Sequence, residues 1–289
     1  MEENGATVRL RHFSDPGCPF GFSAERQRLR LEWLYGDQLS WSTHMIVLSE
    51  EPNPSLTPER LAKGRRTLFA RYGMPFVWTP APAPHATMQA CRAVVAARLR
   101  SEDRCGPLLR RLRVLFFGGR ALDAPATIAL AAEQAGIDAA ELEGWMAAPE
   151  AEEAMREDMR AARSPSPASR AQDYKLGGPA EERRYTCPSY ELERTAPAPA
   201  DWATADRVDL PGFRPVEAYE AALANLAPEL TRRADPESPA DVLEWAGMPL
   251  ATAEVAAVCD AEIADVREQL GRLASFEPVG SDGYWSLTR

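Results

Sequence analysis

The stretch His12-Phe13-Ser14-Asp15-Pro16-Gly17-Cys18-Pro19-Phe20-Gly21 decides how the rest of the chain is interpreted. Its first residues end an apolar strand, Asp-Pro-Gly is typical of a turn, and the proline after Cys18 favours the first position of a helix. The unpaired N–H groups and the positive dipole end of a helix stabilise an anion there. The stretch therefore predicts that Cys18 ionises more easily than a free cysteine, whose pKa is about 8.5. The alternative is that Cys18 is only a small residue in a capping turn.

The sequence around this stretch predicts a βαβ unit. Val-Arg-Leu-Arg-His-Phe (8–13) indicates a short strand, residues 19–35 a helix, and Leu-Ser-Trp-Ser-Thr-His-Met-Ile-Val-Leu (39–48) a second strand. A connection through a helix makes the two strands parallel. This is half of an α/β fold.

The next part, from about residue 57 to 163, carries helical patterns without a convincing strand. Thr57-Pro58 is a helix-start signal and Gly73 a helix-stop signal. Thr-Pro-Ala-Pro-Ala-Pro (79–84) predicts a rigid elbow, and a later helix opens at about Ala126. We expect an all-helical block.

Beyond this block the sequence returns to strands. Thr-Cys-Pro-Ser-Tyr-Glu-Leu-Glu-Arg (186–194) indicates a strand with proline at its head, where proline is allowed. Arg-Val-Asp-Leu-Pro-Gly-Phe (207–213) indicates another strand, and residues 214–226 a helix that closes the sheet layer. After that, three short helical patterns and a hairpin predict a winged helix; they cover 239–246, 251–258, 260–273 and 276–287.

This order of elements resembles the DsbA-like branch of the thioredoxin superfamily, including its cytoplasmic FrnE-like members. The resemblance covers about residues 6–228. It is strongest at Phe-Ser-Asp-Pro-Gly-Cys-Pro-Phe-Gly, at Phe-Phe-Gly-Gly-Arg-Ala-Leu-Asp-Ala-Pro with Ala-Glu-Gln-Ala-Gly-Ile-Asp, and at Tyr-Thr-Cys-Pro-Ser-Tyr. The resemblance implies an α/β, thioredoxin-like fold in which Cys18 is the nucleophile and Pro188 is a cis-proline facing it.

Three units follow from this interpretation. Residues 6–55 and 180–228 form a thioredoxin-like domain, 56–170 a large all-helical insertion, and 237–289 a winged-helix-like C-terminal domain outside the family pattern.

One departure from the family pattern concerns the second cysteine, three residues after the first, which is Gly21 in this chain. The usual C-x-x-C redox cycle cannot run, because a mixed disulfide on Cys18 needs a second thiol to resolve it. Family branches without that cysteine resemble kappa-class glutathione transferases and hydroxychromene-carboxylate isomerases, which bind a small thiol; many of them carry serine in place of the first cysteine. We therefore consider glutathione or mycothiol as a cofactor.

An internal thiol is the other way to resolve the mixed disulfide. Cys187 directly precedes Pro188, and in this fold the residue before the cis-proline lies beside the active-site sulfur. The alternative is that Cys187 is a buried small residue starting a strand. The catalytic candidates are thus Cys18 and Cys187, and the substrate-binding candidates are Pro19, Phe20, Gly21 and Pro188.

Most other cysteines and histidines are interpreted as parts of the core rather than of the site. Cys91, Cys105 and Cys259 are assigned to packing, and His12 and His44 are interpreted as structural. An apolar groove beside the sulfur is one hypothesis, with aromatic candidates at Phe20, Phe22, Phe76 and Trp78.

Composition excludes several function classes. The chain has 289 residues, and its net charge of −10 disfavours binding to nucleic acid or anionic lipid. No apolar run reaches the roughly 18 residues of a membrane span, and no secretory signal is visible, so we expect a cytoplasmic protein. The cysteines show no zinc spacing, so no metal is predicted.

The C-terminal part is itself acidic. Residues 237–289 carry ten acidic residues against three arginines, a net charge of −7, so a redox-sensing DNA-binding regulator is disfavoured. We interpret this part as a structural appendage or a dimerisation piece, and a homodimer is one partner state considered.

The leading interpretation is a DsbA-family thiol-disulfide oxidoreductase-like enzyme that uses the single Cys18 thiolate. Its substrate is an extended peptide or an organic electrophile docked at Cys187-Pro188. The alternative is a glutathione- or mycothiol-dependent transferase or isomerase in which Cys18 only positions the small thiol. An inactive thioredoxin-fold binding protein is a further hypothesis, because of Gly21.

Overall fold

The structure is a computed structural model that describes residues 6–79, 85–100, 102–197 and 206–287. Apart from Thr79, the elbow predicted over 79–84 lies outside these residues. The strands in chain order are β1 (Val8–Ser14), β2 (Leu39–Met45), β3 (Leu176–Gly177), β4 (Arg184–Tyr185), β5 (Ser189–Arg194), β6 (Arg207–Leu210), β7 (Leu250–Ala251), β8 (Ala274–Val279) and β9 (Asp282–Leu287). The helices are α1 (Pro19–Ser23), α2 (Glu25–Tyr35), α3 (Pro58–Tyr72), α4 (Met88–Arg100), α5 (Glu102–Phe117), α6 (Pro125–Gln134), α7 (Ala139–Ala147), α8 (Pro149–Ala162), α9 (Pro167–Arg170), α10 (Val216–Leu226), α11 (Pro239–Ala246), α12 (Thr252–Cys259) and α13 (Ile263–Leu273).

The main sheet has the strand order β2-β1-β5-β6. β1 and β2 are parallel, as a connection through a helix requires, and β5 is antiparallel to both β1 and β6. Phe13 pairs with Ser189, so the end of β1 and the start of β5 lie side by side at the same end of these two central strands. The turn after β1 and the Cys187-Pro188 segment before β5 are therefore neighbours in space.

Alternation along β1 sends its side chains to both faces of the sheet. Leu10 packs in a cluster with Leu34 of α2 and Leu223 of α10. On the other face, Phe13 stacks on Tyr185 with ring centroids 4.4 Å apart. Both faces are buried, which fixes the register of the strand.

The helices α3–α9 stand between the two halves of the main sheet in the sequence. Their core is centred on aromatic rings: Phe22 of α1 stacks on Phe117 at 4.8 Å and meets Phe76 edge-on at 5.3 Å. At α3, Thr57 accepts a hydrogen bond from the Arg60 N–H and Gly73 ends the helix with a φ of 74°. Both signals are those read from the sequence.

Two of the predicted elements next to the Cys18 turn differ from the structure. The helix over 19–35 is divided at Ala24, whose φ of −84° and ψ of −10° stay helical, so α1 and α2 follow one another directly. The second strand ends at Met45 rather than at residue 48, because Val47 has a φ of 56°. A left-handed conformation cannot continue a strand, and it is uncommon for a β-branched residue.

The C-terminal part contains α11, α12 and α13 with a small sheet of order β7-β9-β8. The predicted helices 251–258 and 260–273 begin later than expected, and β7 was missed because it has only two residues. This part packs on α2, with the Trp33 and Trp245 rings edge-on at 5.3 Å.

The hairpin between β8 and β9 is docked on the helical block. Its turn residue Ser281 exchanges hydrogen bonds with Phe76: the Phe76 N–H donates to Ser281 Oγ at 3.0 Å, and the Ser281 N–H donates to the Phe76 carbonyl at 3.1 Å. Gly280 has a φ of 59°, and a Cβ there would lie 2.2 Å from the Phe76 oxygen. Only glycine fits this contact.

A buried ion pair joins the same two parts. Arg110 of α5 donates to the Glu254 carboxylate of α12 at 2.8 Å, and both side chains are under a tenth exposed. Glu254 also accepts from the Ala251 N–H at 2.8 Å. Both charges are thus compensated inside the interface.

In the described part of the chain, none of the helices is both long and apolar enough to cross a membrane.

The ion pair generates a stability prediction. Glu254→Gln leaves the Arg110 charge buried without its counter-ion, which should lower the free energy of unfolding by about 3–5 kcal/mol. Urea denaturation at pH 7 measures this loss. Glu268→Gln is the matched control, because its pair with Arg272 is about 70% exposed on both sides and should change stability by less than about 1 kcal/mol. Equal effects of the two variants would contradict the assignment.

Candidate active site

Cys18 occupies the cap position of α1, directly before Pro19 in the first turn. Its N–H donates to the Asp15 carbonyl at 3.2 Å, which closes the turn after β1. The Gly21 N–H points at the Cys18 sulfur at 3.3 Å, and the sulfur donates to the Cys187 carbonyl at 3.3 Å. Cys18 is therefore held by α1 and the turn after β1 on one side and by the Cys187 carbonyl on the other.

Asp15 anchors this turn to two other elements. Its buried carboxylate accepts from the Gly17 N–H at 2.7 Å and from the Leu48 N–H at 2.8 Å. It also accepts from the Thr87 hydroxyl at 2.7 Å and from the Cys91 thiol at 3.4 Å, both near the start of α4. Cys91 thus contributes to the core, as predicted, and in addition holds the active-site turn.

Cys187 lies against the same turn, and its peptide bond to Pro188 is cis. A Cβ built on Gly21 would be 3.1 Å from the Cys187 sulfur and 3.4 Å from the Cys18 Cβ. Cys18 and Cys187 also belong to one buried cluster with Phe13 and Tyr185. The structure thus brings together two thiols that are 169 positions apart in the chain.

The space beside Gly21 is filled by other groups. A Cβ at this position would lie 2.9 Å from Arg113 Nη2, closer than real Cβ contacts allow, as well as 3.1 Å from the Cys187 sulfur. Gly21 is where the family pattern has its second cysteine. In this chain Arg113 and Cys187 occupy that volume.

Arg113 belongs to a buried polar network behind the thiols. Its guanidinium forms an ion pair with Glu25 and donates a hydrogen bond to Ser14 Oγ. Ser14 Oγ in turn lies 3.6 Å from the Cys187 sulfur. The network places a fixed positive charge, balanced by one carboxylate, on the protein side of the thiol pair.

This environment separates the pKa values of the two thiols. Burial raises the pKa of Cys18, but the hydrogen bonds from Cys187 and the Gly21 N–H, together with the Arg113 charge, outweigh burial and leave the pKa below its ordinary value. Burial raises the pKa of Cys187 well above its ordinary value, and its hydrogen bond to Cys18 and the negative charge of that sulfur raise it further. Cys18 is thus the thiol that ionises first.

Exposure differs sharply among the predicted substrate-binding residues. Phe20 is 41% exposed beside the thiol and meets Phe213 edge-on at 6.2 Å. Pro19 is half-buried, whereas Gly21 and Pro188 are buried. Of the other aromatic candidates, Phe22 and Phe76 are fully buried and Trp78 packs against the same core. Phe22 and Phe76 therefore cannot line a groove at the surface.

Neither His12 nor His44 serves as a proton donor or acceptor for the Cys18 thiol. His12 is buried and stacked on Tyr190 at 4.5 Å, and burial, followed by the Arg113 and Arg28 charges, holds its pKa well below the usual range. His44 hydrogen-bonds Asp158 at 2.8 Å.

Sequence reasoning missed the residues that support the thiols. Asp15 and Ser14 stand inside the quoted stretch, and their short polar side chains next to a turn were the available signal. Glu25 and Arg113 carried none, because an acidic and a basic residue on helices are ordinarily solvated.

The pKa order generates a reactivity prediction. Cys18 should react with iodoacetamide at pH 7 at least about tenfold faster than any other cysteine of the chain, because its thiolate fraction is the largest. Its rate should rise with pH and level off below the ordinary cysteine midpoint. Peptide mapping by mass spectrometry after timed alkylation measures this. A fast-reacting thiol that persists in Cys18→Ser would remove Cys18 from the mechanism.

The contacts of Gly21 generate a stability prediction. Gly21→Ala should lower the free energy of unfolding by about 1–3 kcal/mol, because the added methyl overlaps Arg113 and Cys187. The control is Gly64→Ala in α3, where a Cβ meets nothing within 4 Å, and which should raise stability by roughly 0.5–1 kcal/mol. Urea denaturation compares the two variants. A neutral Gly21→Ala would show that the volume beside Gly21 is free.

Solved structures of other proteins share the fold of this chain. A probable DsbA oxidoreductase from Streptomyces coelicolor superposes with a TM-score of 0.53 at 18% identity, covering 78% of this chain and 93% of that one. The cytosolic disulfide reductase DsbM from Pseudomonas aeruginosa, solved with GSH, superposes with a TM-score of 0.50 at 14% identity, covering 76% and 94%. At such identities the likeness shows the fold alone. No curated protein matches the chain in sequence.

A family assignment comes from the sequence itself. Residues 9–166, more than half of the chain, match the model of the DSBA-like thioredoxin domain. This match confirms the resemblance stated from the motifs and agrees with the α/β sheet and the helical block. The chain belongs to the family of DSBA-like thioredoxin domains.

Proposed function

We propose that this protein catalyses thiol–disulfide exchange, with Cys18 as the nucleophile and Cys187 as the thiol that resolves the mixed disulfide. The observation that carries the proposal is that Cys18 and Cys187 lie together beside Gly21, with the Cys18 sulfur 3.3 Å from the Cys187 carbonyl. A dithiol of this kind replaces the adjacent pair that the family pattern has within α1. Membership of the DSBA-like family supports the same class of chemistry.

The first step is attack of the Cys18 thiolate on one sulfur of an external disulfide. A bond forms between Cys18 and that sulfur, the external S–S bond breaks, and the leaving thiolate takes a proton from water. The Gly21 N–H, the Cys187 thiol and the Arg113 charge favour the thiolate by lowering the pKa of Cys18 from its ordinary value.

We infer that the substrate docks in extended form along Cys187-Pro188. This segment lies directly before the central strand β5 and outside the pairings of the main sheet, so its backbone groups are where we expect an extended chain to pair. The exposed Phe20 ring, two residues after Cys18, adds an apolar surface for the substrate. These features suit a peptide disulfide, and they also accommodate an organic electrophile.

Turnover requires that the resulting Cys18–Cys187 disulfide be reduced again. We propose a small thiol of the glutathione or mycothiol class as that reductant. The DsbM reductase, whose solved structure includes GSH, supports this choice, and its description as cytosolic supports a cytoplasmic location.

The C-terminal part is proposed to be a winged-helix-like unit that serves as a structural appendage. Its hairpin turn is engaged by Phe76 rather than free to enter a DNA groove. Its net charge of −7 also opposes contact with phosphates. A dimerisation role is the remaining proposal for its outer surface.

Mild oxidation of the full chain with diamide tests the proposed function. Peptide mapping should recover a Cys18–Cys187 linked pair, and Cys187→Ser treated with oxidised glutathione should carry glutathione on Cys18. Cys259→Ser is the matched control, because it removes a partly buried cysteine far along the sequence and should leave the linked pair intact.

Two other outcomes would overturn parts of the proposal. The wild-type chain treated with oxidised glutathione could instead carry glutathione on Cys18 without any linked pair. That result favours the transferase or isomerase alternative, in which the bound small thiol is the reactive group. Two unmodified thiols after oxidation would exclude redox function altogether.

A further inference from the structure

The Ser14 hydroxyl lies between the Cys187 sulfur and the Arg113 guanidinium. Both Ser14 and Arg113 are fully buried. Arg113 Nη2 donates to Ser14 Oγ, which lies 3.6 Å from the Cys187 sulfur. A guanidinium only donates hydrogen bonds, so Ser14 Oγ accepts from Arg113 and its own hydrogen is left to point at another acceptor. The Cys187 sulfur is the acceptor within reach.

We propose that Ser14, oriented by Arg113, donates the hydrogen bond that stabilises the Cys187 thiolate while Cys187 resolves the mixed disulfide on Cys18. This inference rests on the proposed function, because it concerns the second step of that reaction. Ser14 contacts the reacting sulfur directly, whereas Arg113 is a positioning residue that acts through Ser14.

Resolution of the mixed disulfide exchanges one S–S bond for another. Cys187 loses its proton to water and its thiolate attacks the Cys18 sulfur, which forms the Cys18–Cys187 bond and breaks the bond between Cys18 and the substrate sulfur. The substrate leaves as a thiolate and takes up a proton. Over both steps the protein dithiol is oxidised to a disulfide, and one external disulfide is reduced to two thiols.

The same arrangement makes Cys187 more reactive once Cys18 has reacted. The charged or titratable groups that face Cys187 are Cys18, Asp15, Arg113 and Tyr190. Besides burial, the hydrogen bond and the negative charge of Cys18 raise the pKa of Cys187 most, and Arg113 lowers it. A Cys18 sulfur in a mixed disulfide carries no charge, so those two contributions vanish while Arg113 and Ser14 remain.

The aryl disulfide 5,5′-dithiobis(2-nitrobenzoate) separates the two steps. Each step releases one coloured thiolate: the first on attack by Cys18, the second on resolution by Cys187. Ser14→Ala should slow the second release by about tenfold to a hundredfold, as expected for loss of a hydrogen bond to a charged group. It should change the first release by less than about twofold. Ser14→Thr keeps the hydroxyl and should restore most of the second rate.

Ser23→Ala is the matched control, because Ser23 is equally buried and bonds the Pro19 carbonyl at 2.8 Å without appearing in the thiol network. It should leave both releases unchanged. Equal slowing of both releases in Ser14→Ala, or no slowing of either, overturns the role of Ser14. Absence of a second release from the wild-type chain, or its persistence in Cys187→Ser, overturns the proposed function instead.

A wild-type measurement covers the case in which Ser14→Ala does not fold. The pH midpoint of the second release should lie below the pH midpoint for iodoacetamide alkylation of Cys187 in the resting protein. Equal midpoints would show that Cys187 is not activated by consumption of Cys18, and the inference would fail.

Discussion

Antiparallel pairing of β1 with β5 is the constraint on which the site depends. With Phe13 opposite Ser189, the turn that carries Cys18 meets the segment that carries Cys187 at one edge of the sheet. A slip of one residue would turn Phe13 and Ser14 to the wrong faces, away from Tyr185 and from Arg113. The packing of Phe13 on Tyr185 thus fixes the register that keeps both thiols in the same cluster.

Two buried arginines lie on one helix. Arg110 and Arg113 of α5 are three residues apart and so lie on the same side of it. Arg110 pairs with Glu254 in the C-terminal part, and Arg113 pairs with Glu25 behind the thiols. The desolvation of a buried ion pair can cost as much as its Coulomb attraction returns, so a buried pair is weak evidence for stability. What the pairs provide is a defined position for α5 between the C-terminal part and the active site.

The glycine at position 21 has a physical reason in this network. A cysteine at position 21 would need the volume that Arg113 Nη2 and the Cys187 sulfur fill. Glycine at position 21 therefore lets Arg113 approach the thiols, and Cys187 lies in the segment directly before β5. The departure from C-x-x-C and the buried Arg113–Glu25 pair are two parts of one arrangement.

Local signals carried much of the fold. The helix-start cysteine followed by proline, the cap at Thr57, the stop at Gly73 and the alternation in β1 depend only on neighbours in the chain, so the sequence alone predicted the βαβ unit and the helical block. The position of Cys18 at the helix start was determined in the same way.

The remaining features were decided by tertiary structure. Ser14 and Arg113 are 99 positions apart, and Arg113 and Glu25 are 88 apart. No local pattern marks an arginine that will be buried rather than solvated, because the same helix face suits either outcome. The early end of β2 at Met45 also involves a distant partner, because just beyond the left-handed Val47 the Leu48 N–H donates to the Asp15 carboxylate. Such contacts exist only once the sheet has closed, since burial and the partner that compensates it arise together.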